Sequence, residues 1–260
     1  MLPNFEEVYS KLTSECTLVE KKLPSHSAIR EILTDIRELL FFNKHIDLYN
    51  IYERLKCEIE LAANASENSS FDAEKEAAFF INELPKLKCL LMKDVRAIYE
   101  GDPAAVSEDE VILSYPGFFA ITIYRIANVF YKRKIPLIAR MMTEYAHEKT
   151  GIDIHAGATI GEYFFIDHGT GIVIGETTTI GDHVKLYQGV TLGAKSFELD
   201  DNGNPIKGVK RHPDIGNNVI VYANATILGG NTKIGDGSII GANVWLTSSV
   251  EPGKVIYYNR

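Results

Sequence analysis

Aliphatic residues recur at every sixth position through much of the second half of this 260-residue chain. The spacing holds in four runs: Ile154, Ile160 and Ile166; Ile174, Ile180, Leu186 and Leu192; Ile215, Val221 and Ile227; and Ile234, Ile240 and Leu246. Neither an α-helix, whose period is 3.6, nor a simple hairpin strand, whose period is two, explains this spacing. A period of six is typical of a triangular solenoid, in which three hexapeptides form the three sides of one coil.

We call these aliphatic residues the anchors and expect each of them to point into the solenoid. A glycine often follows directly, as at Gly161, Gly175 and Gly181, and we expect this small residue to permit the corner. The number of anchors predicts about four to five stacked coils of a parallel β-helix.

Composition divides the chain near residue 150. Of the 20 glycines, 18 lie at or after Gly151, whereas 16 leucines precede that residue and only 5 follow it. Apolar residues at helical spacing, such as Ile29, Ile32 and Leu33, indicate an amphipathic helix, or a pair of them, over 26–63. The sequence therefore predicts an α+β protein, with an all-helical domain over residues 1–150 and the β-helix over 151–260.

Further helices are expected in the first half. The pattern indicates one over 71–84 and another over 86–100, because Pro85 should end the first or open the second. Two more are expected over 117–131 and 136–149. In the second half, residues 194–210 break the six-residue period with the turn-rich run Asp-Asn-Gly-Asn-Pro. This loop excursion is either a solvated insertion or a lid beside an active site.

Several classes of protein are disfavoured. No stretch approaches about 18 consecutive apolar residues, and the N-terminus carries acid rather than base, so we expect neither a membrane span nor a signal peptide and place the protein in the cytoplasm. The net charge of -8 argues against nucleic acid as a partner. Cys16, Cys57 and Cys89 are odd in number and widely spaced, which fits neither a disulfide framework nor zinc. No two histidines are five residues apart, so we expect no catalytic metal.

One histidine stands in a context that suits acid–base chemistry. His168 is followed by glycine and lies fifteen residues after Asp153, which is close to the length of one coil. A neutral imidazole with a carboxylate behind it is the arrangement of a general base. The alternative is a structural hydrogen bond between the two residues.

Six short motifs, taken together, resemble the serine O-acetyltransferases of the hexapeptide-repeat acyltransferase superfamily. They are Gly-Asp-Pro-Ala (101–104), Asp-Ile-His (153–155), Ile-Asp-His-Gly-Thr-Gly (166–171), Gly-Glu-Thr (175–177), Gln-Gly-Val-Thr-Leu-Gly (188–193) and Arg-His-Pro (211–213). The resemblance covers about residues 80–250. It implies a left-handed β-helix, a trimer with acyl-CoA in the groove between subunits, and the reaction of acetyl-CoA with L-serine in cysteine biosynthesis.

The resemblance also implies a role for each matching residue. His168 would be the general base on the serine hydroxyl, and Asp153 would orient it. Asp102 and Asp167 would hold the serine ammonium, Arg211 its carboxylate, and His212 would line the same pocket. Five residues would lie near the base or along the CoA groove: Glu176, Gly193, Ala194, Ala223 and Ala242. Because no cysteine follows residue 90, direct transfer is favoured over an acyl-enzyme.

The expected partners are L-serine, acetyl-CoA and, as a feedback inhibitor, L-cysteine, in a homotrimer or a dimer of trimers joined by the helical domain. Many relatives end in a long tail whose terminal isoleucine enters O-acetylserine sulfhydrylase. This chain ends at Arg260 without such a tail, so we do not expect that complex. Two other functions stay open: an acetyltransferase for a sugar or xenobiotic hydroxyl, and a non-catalytic β-helix scaffold.

Overall fold

The computed structural model describes residues 3–14, 22–42, 45–66 and 71–258. Two expectations rest on residues outside these ranges: Cys16 was part of the cysteine argument, and residues 259–260 were part of the argument about the C-terminal tail. Within the described residues the first part of the chain forms seven α-helices: α1 (Phe5–Ser14), α2 (His26–Phe41), α3 (Leu48–Ala65), α4 (Ala73–Gly101), α5 (Glu108–Ser114), α6 (Pro116–Lys132) and α7 (Ile138–Thr150). Strands begin at Asp153, three residues after the last helix ends.

The apolar spacing over 26–63 corresponds to two helices that pack against each other. Ser25 caps α2 by accepting a hydrogen bond from the Ala28 N–H, and Asp47 caps α3 by accepting one from the Tyr49 N–H. Ile32 on α2 and Leu55 on α3 are fully buried, as amphipathic helices in a packed layer require. Helices α6 and α7 likewise follow the two segments expected over 117–131 and 136–149.

The predicted break at Pro85 is wrong. Helix α4 runs without interruption from Ala73 to Gly101, with Pro85 inside it. Leu84 and Leu87, on either side of the proline, are both buried. Burial of the apolar face on both sides outweighs the one backbone hydrogen bond that proline cannot donate.

The second part of the chain forms a parallel β-helix, as the six-residue period indicates, and it is left-handed, as the family resemblance implies. In the described residues its strands are β1 (Asp153–Ile154), β2 (Thr159–Ile160), β3 (Phe165–Ile166), β4 (Val173–Ile174), β5 (Thr179–Ile180), β6 (Lys185–Leu186), β7 (Thr191–Gly193), β8 (Asp214–Ile215), β9 (Ile220–Val221), β10 (Thr226–Leu228), β11 (Lys233–Ile234), β12 (Ile239–Ile240), β13 (Trp245–Leu246) and β14 (Val255–Ile256). They form three sheets: sheet A (β1-β4-β7-β10-β13), sheet B (β2-β5-β8-β11) and sheet C (β3-β6-β9-β12-β14).

The register of the sheets stacks the anchors on one another. In sheet A, Ile154 pairs with Ile174 and Ile174 with Leu192. The residue two positions before an anchor is also buried, as at Ile152, Ala158 and Phe164. The period-six pattern did not reveal this second inward position, because it accepts residues as different as alanine and phenylalanine.

The glycine after an anchor has a different role from the one expected. The left-handed corner residue comes three positions after the anchor, as at Tyr163 with φ 55° and His183 with φ 56°. Gly161, by contrast, is needed for close stacking, since a Cβ there would lie 2.4 Å from Asp182 Oδ1 of the next coil. The glycine therefore permits the approach of successive coils rather than the turn itself.

A buried ion pair joins the helices to the first coil. Arg125 on α6 donates to Asp94 on α4 through Nε at 2.5 Å and Nη2 at 2.8 Å. The same guanidinium donates to the Gly161 carbonyl, and Asp94 accepts the Phe164 N–H at 2.9 Å. The helical layer is thereby held in one position against the β-helix.

The excursion over 194–210 leaves the solenoid after β7 and returns before β8. Leu199 forms an isolated antiparallel bridge with Pro205, and Asp200 accepts the N–H groups of Asn202 and Asn204. Phe197 and Leu199 are exposed. The excursion is thus a turn closed by its own hydrogen bonds, with apolar side chains in solvent.

Candidate active site

The predicted site residues lie along two different edges of the triangular solenoid. Each coil passes through sheets A, B and C in turn. We call the edge where sheet C turns into sheet A the His168 edge, since His168 follows β3 there. We call the edge where sheet A turns into sheet B the Arg211 edge, since Arg211 and His212 precede β8 there. One chain therefore does not bring His168 and Arg211 into a single pocket.

Backbone hydrogen bonds show which other predicted residues share the His168 edge. The Gly189 N–H donates to the Thr170 carbonyl at 2.9 Å, just beyond His168. In later coils Asn224 donates to Gln188, and Asn243 donates to Ala223, each at 2.9 Å. Ala223 and Ala242 thus continue the His168 edge. Three other predicted residues lie at or just after the ends of sheet A strands, on the Arg211 edge: Glu176, Gly193 and Ala194.

His168 is presented to solvent by a loop that folds back on the first coil. Its backbone is left-handed, with φ 58°, and its side chain is 70% exposed. Gly169 allows this fold-back, because a Cβ there would lie 2.4 Å from Ile152 Cδ1. His168 Nδ1 lies 3.6 Å from Asp167 Oδ1, beyond hydrogen-bond distance. Within the described chain no hydrogen bond joins His168 to Asp153.

Asp102 reaches the His168 edge from the end of α4, where it is the C-cap residue. The Tyr115 hydroxyl donates to its Oδ2 at 2.7 Å, and the Ala104 N–H donates to its Oδ1 at 2.8 Å. These hydrogen bonds, that of Tyr115 first, lower the pKa of the Asp102 carboxyl, with smaller contributions from Lys185 and His168. Asp102 is therefore a fixed anion beside His168.

On the Arg211 edge, three side chains form a hydrogen-bonded row. Arg211 Nη2 donates to Glu176 Oε2, and the Tyr131 hydroxyl donates to Glu176 Oε1 at 2.7 Å. Burial acts to raise the pKa of Glu176, but the hydrogen bonds from Tyr131 and Arg211 outweigh it and the net shift is downward. Burial and Glu176 raise the pKa of Tyr131 to about 12.

His212 is a neutral hydrogen-bond donor. It is buried, and its Nδ1 accepts the Thr177 N–H at 3.1 Å. A backbone N–H can only donate, so Nδ1 carries the lone pair and the ring proton resides on Nε2. Burial, followed by the charge of Arg211, lowers the pKa of His212 to about 4. This imidazole cannot serve as a base at Nε2, whereas the exposed His168 can.

Three residues that support these groups were missed by the sequence analysis: Tyr115, Tyr131 and Thr177. Thr177 stands in the Gly-Glu-Thr motif, and its hydroxyl accepts the N–H groups of Arg211 and His212 at 3.0 and 3.1 Å. Thr177 directly follows the predicted residue Glu176 in that motif, and this position was the one signal that could have identified it. The two tyrosines come from the helical part, where no repeat marks them.

Among the described residues, no cluster of three or more histidine, cysteine, aspartate or glutamate side chains has the arrangement of a metal site. No helix among residues 3–14, 22–42, 45–66 and 71–258 combines the length and apolar character needed to cross a membrane.

The relatives found by sequence and those found by structure carry the same name. A scan against models of protein families found no match. The chain is 56% identical over 177 residues to the plasmid serine acetyltransferase of Synechococcus elongatus. The aligned segment covers 68% of this chain but only 55% of that protein, so the chain spans about half of the relative's length. It is 44% identical over 178 residues to the serine acetyltransferase of Bacillus subtilis, and this alignment covers 65% of this chain and 77% of that protein.

Solved structures match over nearly the whole chain. Serine acetyltransferase 1 of Entamoeba histolytica in complex with L-cysteine has a TM-score of 0.74 and 34% identity, covering 97% of this chain and 96% of that one. The serine acetyltransferase of Neisseria gonorrhoeae in complex with serine has a TM-score of 0.64 and 27% identity, covering 90% and 95%.

Proposed function

This chain belongs to the serine acetyltransferase family of acyltransferases, and we propose that it transfers the acetyl group of acetyl-CoA to the hydroxyl of L-serine, releasing O-acetyl-L-serine and CoA as a step of cysteine biosynthesis. One observation carries the proposal. The two edges carry groups that would suit the two parts of a zwitterion with a hydroxyl: carboxylates and an exposed imidazole lie on one edge, and an arginine and a neutral imidazole donor lie on the other.

We propose that the complete site forms between two chains, with the His168 edge of one against the Arg211 edge of its neighbour. Each chain then offers one edge and receives the other, so the contact is heterologous, the kind that forms a closed ring when its rotation closes. A homotrimer is the assembly that we propose. Ala223 and Ala242 on one side and Gly193 and Ala194 on the other would line the groove for acetyl-CoA.

In this mechanism His168 is the general base. Its unprotonated ring nitrogen takes the serine hydroxyl proton as the hydroxyl oxygen attacks the thioester carbonyl carbon. The tetrahedral intermediate then collapses, the carbon–sulfur bond breaks, and the proton passes from His168 to the leaving thiolate of CoA. Asp153 would orient the imidazole. In support, the Gly171 N–H donates to the Gly151 carbonyl at 2.8 Å, which brings the His168 loop back toward the start of β1.

In the proposed site, each charged group of L-serine faces side chains of opposite charge. Asp102 and Asp167 would hold the ammonium group, and the low pKa of Asp102 keeps that carboxylate ionised. Arg211 would take the carboxylate, for which its planar donor fork is suited, with His212 Nε2–H as a further donor. L-cysteine differs from L-serine only in its thiol, so we propose that it occupies the same contacts and inhibits.

The first experiment follows CoA thiol release from acetyl-CoA with L-serine, D-serine, L-homoserine or a galactoside. We expect release with L-serine alone, reduced by about two to four orders of magnitude in His168→Ala. His183→Ala is the matched control, since His183 has the same left-handed backbone on the third edge, where it stacks on Tyr163 at 4.4 Å. Release only with the galactoside would assign a sugar acceptor, and no release would favour a scaffold.

A mixing experiment tests the shared site. His168→Ala and Arg211→Ala should each be inactive alone. If subunits of the two variants exchange at random, about one interface in four regains both wild-type residues, so about a quarter of the activity should return. An inactive mixture of exchanged subunits would refute a site shared between His168 of one chain and Arg211 of its neighbour.

A further inference from the structure

Tyr131 connects the helical part of the chain to the Arg211 edge. It lies in the last turn of α6, and its hydroxyl donates to Glu176 Oε1 at 2.7 Å. Its ring meets the His155 ring edge-on, with centroids 5.7 Å apart. Gly157 leaves room for it, because a Cβ there would lie 2.7 Å from Tyr131 Cζ. The ring position is therefore determined by packing as well as by the hydrogen bond.

Glu176 stands between Tyr131 and Arg211, with one oxygen for each. Arg211 Nη2 donates to Glu176 Oε2, while Arg211 Nη1 makes only a long hydrogen bond of 3.3 Å to the Val209 carbonyl. The guanidinium is thus held mainly through one terminal nitrogen. The Tyr131 hydroxyl holds Oε1 on its own side, so Glu176 contacts Arg211 through Oε2 and makes no two-point contact with it. The remaining N–H groups stay available for another carboxylate.

We propose that Tyr131 is a positioning residue for the substrate carboxylate. It holds Glu176 in the orientation in which Glu176 binds Arg211 at one nitrogen only, and so keeps the Arg211 fork available to L-serine. The inference rests on the proposed function, because it takes Arg211 as the carboxylate-binding group. It also gives the helical part a direct influence on a site built on the β-helix.

Tyr131→Phe tests this, because it removes the hydroxyl and keeps the ring. We expect KM for L-serine to rise by about tenfold, as for the loss of one hydrogen bond to a charged group, with kcat and KM for acetyl-CoA little changed. Tyr124→Phe is the matched control on the same helix, since the Tyr124 hydroxyl donates to the Ala158 carbonyl at 2.6 Å and lies outside the row. It should leave KM for L-serine unchanged.

A double variant separates positioning from packing. If Tyr131 acts through Glu176, adding Tyr131→Phe to Glu176→Gln should raise KM for L-serine by less than about twofold over Glu176→Gln alone. A tenfold further rise in the double variant would show that Tyr131 acts independently of Glu176. Equal KM values for Tyr131→Phe and Tyr124→Phe would also overturn the inference.

Failure of the proposed function is distinguishable from failure of this inference. A wild-type protein that releases no CoA with L-serine would refute the function. In that case, crystal structures of the wild type and of Tyr131→Phe would still test the role of Tyr131, because they do not depend on activity. We expect Glu176 in the variant to turn and contact Arg211 through both oxygens. If Glu176 and Arg211 keep their wild-type positions in the variant, the inference is overturned.

Discussion

The buried pair of Asp94 and Arg125 makes a sharp prediction about stability. Both side chains are almost fully buried, at 0% and 4% exposure. Asp94 accepts three hydrogen bonds, two from Arg125 and one from the Phe164 N–H. Burial raises the pKa of the Asp94 carboxyl, and the Arg125 guanidinium opposes that rise. Removal of one partner leaves the other as an uncompensated buried group.

We expect Asp94→Leu to lower the free energy of unfolding by about 4 kcal/mol, since breaking a buried pair costs roughly 3 to 5 kcal/mol. With an m value of about 3 kcal/mol/M for a chain of this size, the urea midpoint should fall by about 1.3 M. The double variant Asp94→Leu with Arg125→Met removes the stranded charge and should recover about 2 kcal/mol.

Urea unfolding at one fixed protein concentration, followed by far-UV circular dichroism, measures these changes. Lys93→Met is the control, because Lys93 also joins α4 to the first coil, through Glu162 at 2.6 Å, but both partners are substantially exposed. It should leave the urea midpoint almost unchanged, because solvent screens an exposed ion pair. A loss below about 1 kcal/mol in Asp94→Leu, or a double variant no more stable than it, would refute the reasoning.

Three further predictions concern the two edges. Because the pKa of His212 is about 4 in the folded chain and about 6.5 for an ordinary histidine in an unfolded one, the unfolded chain binds more protons between these values. Stability should therefore fall as the pH decreases from 6.5 to 4, and less steeply in His212→Gln, as urea midpoints across that range will show. Tyr115→Phe removes the main cause of the low Asp102 pKa, so the pKa of that carboxyl should rise, as an NMR titration of the Asp102 side chain will show; an unchanged pKa would contradict this. Gly175→Ala places a Cβ 2.1 Å from His212 Cδ2, so KM for L-serine should rise and the melting temperature fall, and unchanged values would count against the stacking described.

The β-helix could be predicted because its signal is local. Each anchor repeats within a few residues, and the register of sheet A confirms that Ile154, Ile174 and Leu192 stack as the period requires. The hand came from the resemblance to a family and not from the spacing. The role of the glycines was assigned wrongly, because close approach between coils depends on residues about twenty positions away, such as Asp182 beside Gly161.

The helical part shows the opposite case. Propensity indicated a break at Pro85, yet buried side chains on both sides keep α4 continuous. Tyr115 and Tyr131 act at the two edges only because α6 and its preceding turn pack against the first coil. No local pattern records where a helix packs, so neither residue could be found from the sequence.

By itself the sequence determined the period of the solenoid, the helical character of the first part and the motif residues that suit acyl transfer, because each is written in short-range spacing and residue type. The tertiary structure alone decided how those residues are grouped. His168 and Arg211 are placed on different edges by the sheets that precede them, and hydrogen bonds from distant elements hold Asp102, Glu176 and His212 in defined states. Contacts between residues far apart in the chain make that decision, and they exist only once the coils and helices have packed.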